Sequence, residues 1–147
     1  MTRIFFDANL LIDITDYTRP LHEVSSALFD HLAQNKQKFL LYTSCDLVTT
    51  VYYIVRKAIG KKKALEQIKT LNRLIHVIEF GNDEIEEAIY LMEKSPAFGD
   101  LEDTIQYVMA RRERCDYIIT NDARFHSHDV PLLGSGEALE VLGGQIR

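Results

Sequence analysis

Residues 3–14 read RIFFDANLLIDI. Arg3 to Phe6 is an apolar run of the kind buried inside a parallel sheet. Asp7-Ala8-Asn9 is a polar turn, and Leu10, Leu11, Ile12 and Ile14 then predict a short helix. A strand that passes through a polar turn into a helix opens an α/β unit. The same grammar returns further on. Lys38 to Thr43 predicts a second strand, with Ser44 as N-cap of a helix through Val48, Val51, Tyr52 and Val55. His76 to Phe80, Tyr117 to Thr120 and Val130 to Leu133 predict three more strands.

Helices fill the intervals. Pro20 stands near the start of one whose apolar positions are Leu21, Val24, Leu28 and Leu32. Gly60 ends the helix begun after Ser44, and Lys61 to Leu74 forms the next. Asn82 is the expected cap of an acidic helix running to about Lys94. Ser95 to Gly99 is a loop, and Asp100 opens a helix through Ile105, Val108 and Met109. Ser135 is the expected cap of a last short helix. The pattern predicts an α/β fold, a three-layer α/β/α sandwich with a mostly parallel central sheet. Strand order is not readable from it, but in such sheets the ligand site lies outside the carboxyl ends of the strands.

The chain has 147 residues, 46% hydrophobic and 27% charged, with only 7 Gly and 3 Pro, which excludes collagen-like and low-complexity architectures. With no linker and no repeat, residues 1–147 are expected to form a single domain. Cys45 and Cys115 belong to no CxxC or zinc pattern and read as reduced structural thiols. There is no signal-peptide h-region, and no apolar run approaches the ~20 residues that span a bilayer. A cytoplasmic protein without a membrane partner is the expectation.

Acids gather where the ligand edge should be. Asp7 follows the first strand directly and Asp122 follows the fourth by one residue. Asp100 and Asp103 share the first turn of a helix, and Asp46 lies near the start of another. Acids at helix starts also serve as caps or answer the helix dipole, which is the plainer reading of Asp46 and Asp100. Two carboxylates ~4 Å apart repel by about 4 kcal/mol at an effective dielectric near 20. A cluster therefore needs a proton, a basic side chain or a divalent cation. Oxygen donors suit Mg²⁺ or Mn²⁺, ions that activate water and stabilise in-line displacement at phosphorus. The arrangement suggests metal-assisted phosphodiester hydrolysis.

Three segments in order, IFFDANLLID, DLEDTIQYVMA and DYIITNDARF, closely resemble the PIN-domain family of metal-dependent ribonucleases, which includes the VapC-type toxins of toxin–antitoxin pairs. SCDLVTTVYYIVRK resembles the second helix of one branch of the family. The resemblance implies Asp7, Asp103 and Asp122 as catalytic and metal-ligating residues, with Asn9, Thr120 and Asn121 supporting them. It further implies hydrolysis of RNA, a Mg²⁺ or Mn²⁺ cofactor, a small antitoxin partner and a homodimer. One position departs: Thr50 stands where many members carry Glu. Asp46, one turn earlier on the same helix face, and Asp100 are the alternatives for that missing acid. A PIN-like fold that binds RNA or protein without cleaving is the rival reading. Phosphatase and receiver-domain readings fail, since Asn9 replaces the second Asp the former needs and the latter's acidic pair and late Lys are missing.

The net charge of −5 argues by itself against a passive nucleic-acid binder. Its distribution says more. Residues 36–73 carry nine basic and two acidic side chains, whereas residues 79–103 carry nine acidic and one basic. Arg56, Lys57, Lys61, Lys62 and Lys63 form a candidate RNA-backbone contact or simply a solvated face. Arg111, Arg112 and Arg114 either contact phosphate or neutralise nearby acids. His126 and His128 suggest a metal pair, but no third ligand has the spacing, and a polar loop explains them.

Overall fold

The computed structural model describes residues 1–143. Five strands form one sheet, all neighbours parallel, in the order β3-β2-β1-β4-β5. They are β1 (Thr2–Phe6), β2 (Phe39–Ser44), β3 (His76–Ile78), β4 (Tyr117–Ile119) and β5 (Leu132–Leu133). Between β1 and β2 lie α1 (Ala8–Thr15) and α2 (His22–Ala33). Between β2 and β3 lie α3 (Cys45–Ile59) and α4 (Lys61–Leu74), and between β3 and β4 lie α5 (Asn82–Lys94) and α6 (Leu101–Arg112). The helix α7 (Ser135–Gly143) follows β5.

Alternation along the strands builds the layers. Ile4 and Phe6 join Leu41, Ile119 and residues of α1, α2, α3 and α7 in one core cluster. Phe5 points the other way, into a second cluster with Tyr42, Ile118 and the α6 residues Ile105, Tyr107 and Val108. The sheet is thus covered on both faces, the expected three-layer sandwich, with every strand pair parallel.

Several boundaries differ from the sequence reading. β3 stops at Ile78 and β5 begins at Leu132, so both edge strands are shorter than predicted. Gly81, not Asn82, is the N-cap of α5; its N–H donates to the Glu84 carboxylate at 3.2 Å. Ser135 is the first residue of α7 rather than its cap. Ser44 has N-cap backbone geometry but its hydroxyl donates to Asp46 instead of capping. Gly60 ends α3 as expected, at φ +88°, a conformation that favours glycine.

Topology places the site. The chain leaves β1 toward β2 on one side, and β4 returns on the other, so the carboxyl ends of β1 and β4 flank a switch point. No described helix is long and apolar enough to cross a membrane. Cys45 and Cys115 are free; Cys115 is buried, which pushes its thiol up to about 12 and leaves it inert.

Candidate active site

Asp7 follows β1 directly and is the N-cap of α1. It is 3% exposed. One carboxylate oxygen accepts from the Ala8 N–H at 2.7 Å and the other from the Thr120 hydroxyl at 2.7 Å. The strand pairing makes this possible: Phe6 stands opposite Ile119 in the β1–β4 register, so the residues that follow each strand meet. The Thr120 hydroxyl also accepts from the Asp122 N–H at 3.0 Å, tying both acids to one oxygen.

Asn9, in the first turn of α1, accepts from the Asn121 N–H at 3.1 Å. The Asn121 side chain in turn donates to Asp13 at 2.9 Å and accepts from the Ser135 hydroxyl at 2.8 Å and the Ser135 N–H at 3.0 Å. Thr120 and Asn121 therefore act from behind the site, one orienting Asp7 and the other joining α1 and α7 to the end of β4. Asp13, itself 3% exposed, is balanced by Arg19 at 2.6 Å. Sequence reading missed this buried pair, because Asp13 lies inside an apolar helix and nothing local marks its partners.

A cavity of about 520 Å³ opens at this edge. Asp7, Asp100, Glu102, Asp103 and Asp122 line it, with Asn9, Thr50 and Ile54 among the other walls. Among the described residues, the one basic side chain in the lining is Arg124, 3.4 Å from Asp122 and 91% exposed, so its charge is largely solvated. α6 supplies three of the acids from its start: Asp100 is its N-cap, accepting from the Glu102 N–H at 3.1 Å, and Glu102 and Asp103 occupy its first turn.

Electrostatics records the crowding. Burial, then the charges of Asp7, Asp100, Asp122 and Glu102, push the Asp103 carboxyl up to about 7. Burial raises Asp7, against the pull of the Thr120 hydroxyl, the Ala8 N–H and the Gln106 side chain. Glu102 is raised by burial and by the charges of Asp46, Asp100 and Asp7. These groups favour protons because little else neutralises them, which is the condition a divalent cation relieves. Among the described residues no three histidine, cysteine or carboxylate side chains already converge as a finished ligand set. The acids ring an open cleft, which suits a hard cation that keeps part of its water shell.

The structure brings Asp7, Asp103 and Asp122 to one cavity, as their positions in the sequence predict. Of the two alternatives for the acid missing at Thr50, Asp100 lines that cavity, whereas the Asp46 carboxylate is engaged by the Ser44 hydroxyl. Glu102 was not among the predicted site residues. Its adjacency to two acids in the first turn of one helix was the available signal.

Arg56, Lys57, Lys61, Lys62 and Lys63 are exposed at the α3–α4 corner, outside the cavity but beyond the α3 wall made by Thr50 and Ile54. Arg112 is paired to Glu84 at 2.7 Å and Glu87 at 2.9 Å, and Arg111 approaches Asp129 at 3.4 Å, so these arginines answer local acids. His126 and His128 pack edge-on against Phe98, with ring centroids at 4.6 and 4.7 Å, a stacked loop in place of a metal pair.

Comparison with known proteins identifies the family and the fold. The sequence profile of the PIN domain matches residues 3–124. Ribonuclease VapC1 of Aquifex aeolicus (strain VF5) is 46% identical over 138 residues, covering 94% of each chain. Among solved structures, VapC20 of Mycobacterium tuberculosis, a toxin that cleaves the sarcin–ricin loop, superposes with a TM-score of 0.68 at 14% identity, over 83% of this chain and 92% of its own. VapBC2 of Rickettsia felis, bound to a DNA fragment from its promoter, gives 0.69 at 14% identity, over 90% and 98%. FitAcB of Neisseria gonorrhoeae gives 0.64 at 19% identity, over 90% and 98%. At these identities the structural likeness concerns the fold.

Proposed function

The chain belongs to the PIN-domain family, and on that premise we propose that it is a metal-dependent endoribonuclease of the VapC type, acting through Asp7, Asp103 and Asp122. The observation that carries the reading is the cleft itself: five carboxylates at a switch point, with one solvated arginine among them. The oxygen donors fit Mg²⁺ or Mn²⁺. Such an ion, when bound, supplies Lewis-acid polarisation of the phosphate and a more acidic water.

The chain's own groups prepare for that ion. Thr120 and the Ala8 N–H fix the plane of Asp7. Asp122 is held against the same hydroxyl through its backbone N–H. Asp103, whose carboxyl is pushed up to about 7 by burial and the neighbouring acids, would be one of the residues holding the ion, in its ionised form. Asp100 and Glu102 add negative potential at the rim, which would favour a cation there and oppose bare phosphate. Hydrolysis then adds water across one P–O bond of the RNA backbone. Arg124 and the exposed Arg56, Lys57 and Lys61 to Lys63 are the groups that meet flanking phosphates.

The likeness to VapBC2 and FitAcB supports a small antitoxin partner, and family membership supports a homodimer, a cytoplasmic setting and one PIN-like domain over residues 1–147. The test is cleavage of structured and single-stranded RNAs with Mn²⁺ or Mg²⁺. Cleavage by the native protein is expected, lost on chelation and reduced at least about 100-fold by Asp7→Asn while the fold persists. No cleavage of any RNA with either metal contradicts the assignment.

A further inference from the structure

The face of α3 that borders the acidic cleft continues beyond it. Thr50 and Ile54 line the cavity, and Tyr53 and Lys57 complete the i, i+3, i+4, i+7 stripe that one helix face presents. Core packing does not claim this stripe: Leu47, Val51 and Val55 are the buried residues of α3, whereas Tyr53 is 60% exposed. Its ring is nevertheless held. Tyr52 meets it edge-on with centroids 5.9 Å apart, and the Arg56 guanidinium lies 5.9 Å from its centre. The other wall repeats the arrangement. α1 packs on α3, carries the cleft-lining Asn9 and Ile12, and leads to Tyr17, which is 58% exposed. The Lys63 ammonium of α4 lies 5.9 Å from that ring's centre.

Charge decides what such a surface fits. Residues 36–73 carry nine basic side chains and two acidic ones. Among the described residues Arg56, Lys57, Lys61, Lys62 and Lys63 enter no ion pair, unlike Arg111 and Arg112. Unneutralised cations beside exposed rings match a single-stranded nucleic acid, which offers phosphates to the former and unpaired bases to the latter. A duplex keeps its bases stacked inside and leaves the rings without a partner.

We propose that Tyr53 and Tyr17 are base-stacking platforms which, with Arg56, Lys57 and Lys63, form a track holding an unpaired stretch of RNA alongside the cleft. The proposal deepens the ribonuclease reading above and rests on it for its substrate.

Fluorescence anisotropy tests it with a short labelled oligoadenylate and an abasic ribose-phosphate oligomer of equal length and charge, both in EDTA so that nothing is cleaved. Tyr53→Leu and Tyr17→Leu are each expected to weaken oligoadenylate binding about 5-fold or more while abasic binding stays within about twofold of native. Tyr53→Phe keeps the ring and is expected to keep native affinity. Tyr90→Leu is the control. Tyr90 is 59% exposed with Lys94 5.7 Å from its ring, but it stands on the acidic α5, and its loss is expected to change nothing. With Mn²⁺, the two track variants are expected to cleave with raised KM at native kcat.

Equal losses for both oligomers, or native oligoadenylate affinity in the track variants, overturn the platforms. So does a dimer that dissociates on Tyr53→Leu with RNA affinity unmoved, which gives the face to a second copy. Cleavage with unmoved KM in both variants overturns the track and leaves the ribonuclease reading standing. Ring-dependent binding by a native protein that cleaves no RNA supports the track and overturns the ribonuclease reading instead.

Discussion

At the scale of single residues, the Thr120 hydroxyl has a disproportionate part. It donates to Asp7 at 2.7 Å and accepts from the Asp122 N–H at 3.0 Å, so one oxygen sets the relation between acids 115 positions apart in the chain. Replacing it with valine keeps the shape and removes both bonds. Thr120→Val is expected to weaken Mn²⁺ binding by about 10-fold, measured by calorimetry, with the fold retained; unchanged affinity would show that the hydroxyl is not needed for alignment. Asp7 and Asp122 were legible in the sequence because each follows an apolar strand. Glu102 and Asp13 were not, because their roles depend on what faces them. Glu102 owes its place to the start of α6 lining the cleft, and Asp13 owes its charge balance to Arg19 and a further hydrogen bond to Asn121.

Among the elements, α6 carries the most function for its length. Its first turn brings Asp100, Glu102 and Asp103 to the cleft, and its middle is buried all round, from Thr104 to Ala110. Its end has a left-handed residue that is not glycine: Arg114 at φ 56°. The Cys115 N–H donates to Ala110 O at 2.9 Å and the Arg114 N–H to Arg111 O at 3.0 Å, a Schellman closure in which glycine is the usual occupant. Arg114→Gly relieves that strain and is expected to stabilise the protein by roughly 0.5–1 kcal/mol, a rise of about 2–4 °C in melting temperature. A fall in melting temperature would mean that the arginine side chain contributes more than its backbone costs. The helices and central strands were readable because burial periodicity is local. Strand order was not, since the β1–β4 pairing joins Phe6 to Ile119 and leaves no mark on either segment alone. The edge strands β3 and β5 came out short for a related reason: each pairs on one side only, so the apolar residues beside them need not be strand.

Across the whole molecule, the net charge of −5 conceals a separation between the basic α3–α4 corner and the acidic cleft and α5. The cleft makes stability depend on pH in a definite sense. Asp103 rises from 3.8 to about 7 on folding, and Asp7 and Glu102 are also raised. The folded state therefore holds these protons more tightly than the unfolded chain. The stability they contribute is full below about pH 4 and is lost as pH rises through about 7. Melting of the metal-free protein should shift to lower temperature between about pH 5 and pH 8, and Mn²⁺ should raise it more at the higher pH. Equal stabilisation by Mn²⁺ at both values would contradict a cation held by these acids.

The central claim is that Asp7, Asp103 and Asp122 together hold the catalytic ion. Crystals grown with Mn²⁺ and measured near the manganese absorption edge test it most directly. The account predicts an anomalous peak in the cleft, in contact with all three carboxylates. A peak held elsewhere, at Asp46 or the His126–His128 loop, or a cleft without one at saturating Mn²⁺, would contradict it.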